Sequence, residues 1–270
     1  MRIKEKIEKA GVPLKDWDVQ INYGIKTGFN EAFIIDDATR RELIEKCPKS
    51  EEIIRPILLG RNIKRYSYQW EGLWLINAHN GLKSKKIPRV DVINDYPAVF
   101  EFLSKFREKL ELRLDKGDHW TNLRNCAYLD EFDKPKVAWG NLAQQSQFTI
   151  IPDGFMINAP SPFFVTNNLY LIAILNSKLG DYYIKSLGVS RSGGYVEYKP
   201  MFVENLPIPV PSKEAQELLT EKVQNILLKR EAGEETIKEE VEIDSIVSHL
   251  YNLTIEEKQL IDLLTFRLAY

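Results

Sequence analysis

Gly194-Tyr195-Val196-Glu197-Tyr198-Lys199-Pro200-Met201-Phe202-Val203-Glu204-Asn205-Leu206-Pro207-Ile208-Pro209-Val210-Pro211-Ser212 is where the chain changes character. Its first half alternates apolar or aromatic with polar residues, the period-two pattern of a short strand. Its second half carries Pro200, Pro207, Pro209 and Pro211, each lacking a backbone N–H and fixing φ, so Leu206 to Pro211 reads as an extended connector. Beyond Ser212 the composition turns to Glu, Lys, Leu and Gln. Helices are predicted over about 213–231 and 236–251, and a capping box of Thr254 and Glu257 opens a third. Upstream, short strands alternate with amphipathic helices. The expected fold is mixed α/β (α+β): a body of several short, mostly antiparallel strands with packed helices, followed by a helical C-terminal extension. The segments are an N-terminal helix and leader at 1–18, a body at 19–210 and the extension at 211–270.

The bulk properties narrow the function. The chain has 270 residues, enough for one large domain or a domain with an appendage, and 44% hydrophobic and 28% charged residues, as in ordinary globular proteins. No apolar run reaches bilayer length, and the charged start Met1-Arg2-Ile3-Lys4-Glu5-Lys6 is no signal peptide. Two cysteines, Cys47 and Cys126, make a disulfide framework improbable and fit a reducing cytoplasm. The net charge of −2 hides an asymmetry: residues 211–270 hold 7 basic and 13 acidic residues, against 30 and 26 in residues 1–210. Within the body, Arg61, Lys64, Arg65, Lys83, Lys85, Lys86 and Arg89 face Glu71 alone between 61 and 90. Such a patch suits an anionic partner such as DNA, though a solvated face has the same composition.

Along the body, strands are expected around 19–23 and 31–35, joined by a loop in which Gly24 and Gly28 permit positive φ or close approach to a ligand. No Gly-Lys-Ser/Thr follows, so the loop is not a P-loop. Asp37 is placed to cap a helix over 38–46, and Ser50 a second that ends at Gly60. Arg, Lys and aromatic residues interleave through Tyr66, Trp70 and Trp74, which suits nucleic acid or equally a core. An amphipathic helix is read over 97–114, strands over 136–139, 147–151, 154–157 and 162–166, with a hairpin turn at Asp153-Gly154, and a helix over 169–186 capped by Asn168.

Signals for catalysis are weak. His79, His119 and His249 are scattered without zinc-type spacing. Asp153, with Glu197 and Lys199, mimics the Asp…Glu-x-Lys pattern of Mg²⁺-dependent nucleases, a pattern short enough to arise by chance. Asn158-Ala159-Pro160-Ser161-Pro162-Phe163-Phe164 has misplaced prolines for an amino-methyltransferase motif and no Gly-rich methyl-donor turn before it. No nucleophile elbow supports a Ser-His-Asp triad.

Five ordered stretches carry a resemblance: Gly24 to Phe33, Ile54 to Tyr66, Trp120-Thr121-Asn122-Leu123-Arg124, Lys136-Val137-Ala138-Trp139, and Gly193-Gly194-Tyr195 through Pro209. Together they resemble the TaqI-like C-terminal specificity domain, the target recognition domain of type IIG restriction–modification enzymes and related adenine-specific DNA methyltransferases. The resemblance implies sequence-specific recognition of double-stranded DNA, without catalysis by this chain. S-adenosylmethionine and Mg²⁺ would serve a methyltransferase domain and a nuclease domain that lie outside it, and the chain itself would need no cofactor. Phosphate contacts are then expected from Lys26, Thr27, Arg61, Lys64, Arg65, Lys83, Lys85, Lys86 and Arg89. Base reading is expected from Asn141, Gln144 and Gln145, whose amides match adenine, and from Arg191 beside Tyr195 on a Gly/Ser loop. The partner of the chain would be the methyltransferase domain of its polypeptide, with no membrane involved. A protein-interaction module using the acidic helices is the competing class.

Overall fold

A computed structural model describes residues 3–267 and shows a mixed α/β fold built on two four-stranded sheets. The first runs Phe148–Ile151, Lys136–Trp139, Pro162–Val165, Ile21–Tyr23, antiparallel throughout. The second runs Met156–Ile157, Ile54–Leu58, Trp74–Ile76, Ile34–Ile35, with only the first pair parallel. Side chains on a strand alternate between faces. Val137, Trp139, Phe148 and Phe164 therefore enter one core, and Ala138, Ile151 and Phe163 enter a second. The first core takes the helices Leu169–Asn176 and Lys178–Leu187, and the second takes Ile54–Leu58, Trp74–Ile76 and the helix Pro97–Ser104.

The helices after Ser212 belong to the first core. Leu219, Val223, Ile226, Ile243, Val247 and Tyr251 are buried there with Ile7 and Leu14 from the other end of the chain. Their spans are Lys213–Glu231, Ile237–Leu250 and Ile255–Arg267. Thr254 and Glu257 bond reciprocally as the sequence requires. Ile237 and Val241, apolar residues one helical turn apart, nevertheless stand in solvent. The helix is instead turned so that Glu240 and Asp244 meet Arg65 and Lys178.

Other expectations change as well. Residues 30–33 form a helical turn, leaving only Ile34–Ile35 as strand. Asp36, not Asp37, caps Asp37–Lys46 through the Thr39 amide. The stretch after Ser50 becomes strand Ile54–Leu58, because Ile54, Ile57 and Leu58 are buried against its neighbours. Asp153-Gly154 turns no hairpin, since the strands flanking it join different sheets. The predicted helix over 97–114 breaks into Pro97–Ser104 and Arg107–Leu112, and that over 169–186 kinks at Ser177, whose hydroxyl caps the second half. Leu206 to Pro211 is extended, and its Pro207–Ile208 pairs with Val12–Pro13. The phenols of Tyr251 and Tyr170 donate to the carbonyls of Pro207 and Pro209 at 2.5 and 2.8 Å, tying this donor-poor segment to the helices.

Candidate nucleic-acid interface

Three hollows meet at Ala159 and Pro160. The largest is a cleft of about 690 Å³ that brings together Arg61, Lys64, Asn141, Gln144, Gln145 and Tyr195. Six sequence-predicted contacts thus converge from three separated parts of the chain. Gln147, Asn158 and Ser161 complete the cleft. A second hollow of about 580 Å³ carries Tyr23, Lys26, Arg124, Asn125 and Tyr128, and a third of about 520 Å³ carries Lys26, Thr27 and Gly28 beside Asp115.

Local structure sets the direction of each cation. The strands Ile63–Lys64 and Ser67–Tyr68 pair as a hairpin whose turn is Arg65-Tyr66. Tyr66 takes φ 58°, an uncommon left-handed conformation for an aromatic residue, and its ring is fully buried in the first core. That turn sends Lys64 into the cleft and Arg65 the other way. Arg65 bonds Glu240 at 2.5 Å and the Asn176 carbonyl, with its side chain 17% exposed. Desolvation opposes charge on Glu240, but Arg65 together with the hydrogen bonds from Thr236 and Arg230 holds that carboxyl below its usual range. Arg65 is therefore a structural cation, a correction to its expected place on the phosphate surface. Arg61 is 64% exposed and leans on Glu71 at 2.7 Å, an open, solvent-screened pair readily exchanged for a phosphate.

Thr27 also departs from expectation. Its hydroxyl donates to Asn30 at 2.6 Å and accepts from the Phe29 amide, and the residue is buried. Its carbonyl accepts from Arg113, which also donates to the carbonyls of Trp120 and Asn122 at 2.9 and 2.5 Å. Burial lowers the Arg113 pKa to about 10, which still leaves it charged at neutral pH. This buried guanidinium fixes the Thr27-Gly28 turn and leaves exposed Lys26 as the reaching side chain of the loop. Gly24, in the second hollow, is required where that loop passes residues 157–159: a Cβ there would meet the Ile157 carbonyl oxygen at 2.4 Å.

The rest of the basic cluster stands elsewhere. Lys83, Lys85 and Lys86 occupy a short helical turn closed by the Leu82–Ile87 bridge, with Lys85 paired to Asp130. Arg89 lines a separate depression of about 210 Å³ with His119 and Asn122. Arg191 donates to Glu197 at 2.9 Å and does not line the cleft, although its loop reaches the wall: Gln144 donates to the Gly193 carbonyl at 3.0 Å. Arg124 was singled out only within a motif, yet it is exposed in the second hollow and pairs with Asp115 at 2.7 Å.

The nuclease pattern is not assembled. Hydrogen bonds from Lys199 and Arg191 hold the Glu197 carboxyl below its usual range. Asp153 lies near Lys136 at one end of strand Lys136–Trp139, whereas Trp139 at the other end donates to the carbonyl of Tyr198. Asp153 and Glu197 thus lie toward opposite ends of that strand. Among the described residues, no three His, Cys, Asp or Glu side chains cluster to hold a metal ion. Burial raises the Cys126 thiol to about 11, so it is not a thiolate nucleophile at neutral pH. No helix among the described residues is long and apolar enough to cross a membrane.

Comparison with known proteins matches the architecture. The type II methyltransferase M.MjaIV of Methanocaldococcus jannaschii is 27% identical over 254 residues, covering 89% of this chain and 81% of that protein. The type II methyltransferase M.BstVI of Geobacillus stearothermophilus is 21% identical over 273 residues, where the match covers 92% of this chain but only 42% of the relative. Among solved structures, the type IIL restriction–modification enzyme MmeI in complex with DNA superposes with a TM-score of 0.72 at 13% identity, over 96% of this chain and 36% of that one. The type IIG restriction endonuclease BpuSI superposes with a TM-score of 0.52 at 12% identity, over 96% and 33%. The chain thus spans about a third of each of these two enzymes, whose likeness is one of fold. The TaqI-like C-terminal specificity domain matches residues 55–208, more than half of the chain and the segment that builds most of the cleft, and the chain belongs to that family.

Proposed function

We propose that this chain is the DNA target recognition module of a type IIG-like restriction–modification enzyme, and that its own part is binding rather than chemistry. The observation that carries the reading is the cleft itself. Arg61 and Lys64 line it together with the amide-bearing Asn141, Gln144, Gln145 and Gln147. Cations that track phosphates set register, and amides on a rigid support discriminate base edges, adenine above all. Lys26 and Arg124 extend the cationic edge into the adjoining hollows. Family membership and the methyltransferase relatives support this assignment. Methyl transfer from S-adenosylmethionine, and any Mg²⁺-dependent cleavage, would be the work of other domains of the polypeptide, against which this module would clamp the duplex.

The test is selection from a random duplex library at low salt, followed by a salt titration on the winning sequence. Enrichment of one asymmetric site, bound with a steep salt slope, is expected. Absence of binding at any salt would refute the proposal and favour a protein-interaction role for the acidic helices.

A further inference from the structure

We infer that Asp181 is a positioning residue for base readout, holding both ends of the amide-bearing segment 141–147 from inside the core. This rests on the DNA-recognition reading above and names the device that would make such reading specific. Asp181 lies on the helix Lys178–Leu187 and is 5% exposed. Its Oδ1 accepts from the Ser146 amide at 2.7 Å and from the Tyr198 hydroxyl. Tyr198 in turn donates its own amide to the Asn141 carbonyl at 2.9 Å and accepts from Trp139 Nε1 at 2.6 Å. One buried carboxylate therefore reaches the start of the segment through Tyr198 and its end through Ser146.

A second clamp lies two residues on. Asn176, fully buried at the end of the preceding helix, accepts from the Phe148 amide at 2.9 Å and donates to its carbonyl at 2.8 Å. Ser146 and Phe148 are buried, and Gln147 between them lines the cleft. Its backbone is gripped on both sides, so its amide is displayed from a fixed support. A flexible glutamine would lose rotamer and backbone freedom on meeting a base, and an anchored backbone has already given up much of it. Bidentate amide–adenine pairing also demands a defined plane and distance, which anchorage supplies. The counter-ion of Asp181 is Lys185, at 2.7 Å and equally buried, so the carboxylate is held in place by charge as well as by donors.

The experiment uses the full 270-residue chain. Asp181→Asn is combined with Lys185→Met, so that no lone buried charge remains and the fold is preserved. Two readouts are taken: amide hydrogen exchange over residues 141–148, and the ratio of affinities for the selected and a scrambled duplex. Exchange at Ser146 to Phe148 should accelerate at least about tenfold, because the anchoring acceptor is weakened. The affinity ratio should fall about tenfold or more, while affinity for the scrambled duplex and the salt slope stay within about twofold of the parent. A folded double variant with parental exchange and parental ratio overturns the inference. Should that variant not fold, Tyr198→Phe removes one donor to Asp181 and should lower the ratio severalfold; an unchanged ratio and unchanged exchange there overturn it equally. A parent chain that selects no sequence refutes the DNA-recognition reading instead. In that case the exchange data alone show whether Asp181 holds the segment.

Discussion

Arg61, Lys64 and Arg65 stand within five positions of one another in the sequence, and the structure assigns them opposite duties. The double substitution Arg61→Ala/Lys64→Ala removes two cations that line the cleft, Arg61 exposed and Lys64 half-buried. Each phosphate contact contributes about 0.9 to the slope of log affinity against log salt, so the slope should flatten by about 1.8. Across a fourfold rise in salt, from about 50 to 200 mM, the variant should then lose roughly 12-fold less affinity than the parent. Folding should barely change, since the Arg61–Glu71 pair is open to solvent. Arg65→Ala should do the reverse. It leaves Glu240 without its closest cation, although Arg230 still faces that carboxylate at 2.9 Å. A cost of about 3 kcal/mol, the low end for breaking a buried pair, corresponds to a fall of roughly 6–12 °C in Tm. Its salt slope should remain parental under conditions where it is folded. Fluorescence anisotropy on a labelled duplex at several salt concentrations, with thermal unfolding followed by circular dichroism, measures both quantities. Equal slopes in parent and double variant, or a flattened slope in folded Arg65→Ala, would refute the division.

Three further outcomes are expected. Lys136 is fully buried, its ammonium donates to the Pro152 carbonyl at 3.1 Å, and burial lowers its pKa from 10.5 to about 8. A lysine with a depressed folded pKa binds fewer protons folded than unfolded between about 8 and 10.5, so stability should rise with pH through that window. Lys136→Met should stabilise the chain by about 1–3 kcal/mol at pH 7 and abolish that rise, as measured by denaturant unfolding at pH 7 and pH 10. Gly24→Ala drives a Cβ into the backbone of Ile157 and Asn158 and should destabilise by about 1–3 kcal/mol, visible as a lowered Tm; an unchanged Tm would mean that this backbone yields. Gln145→Ala should relax preference at one base pair by about 1–3 kcal/mol in library selection without altering the salt slope.

Much of this was legible from local pattern. Short apolar runs marked Lys136–Trp139 and Pro162–Val165 as strands, helical spacing marked Lys213–Glu231, and the capping box marked the start of the last helix. Such signals depend on neighbours in sequence, so they survive without the fold. The break after Ser104 and the kink at Ser177 were not legible, because apolar spacing runs unbroken across both and packing chose the shorter helices. Of the candidate site, the amide run and the pair Arg61 and Lys64 could be named from residue type. Asn158 and Ser161 could not, since they sit in a segment that reads as a strand boundary and reach the cleft only through pairing with distant chain.

The sequence by itself determined the family, the mixed α/β class, the helical C-terminal segment and the charge asymmetry between body and tail. Tertiary structure alone decided which cations face outward. Lys64 and Arg65 have the same charge and adjacent positions, and only the buried left-handed turn at Tyr66 separates a cleft cation from one bound to Glu240. Composition counts charges, but a phosphate is drawn to those that the fold leaves accessible, because a buried ion pair has already spent its field on its partner.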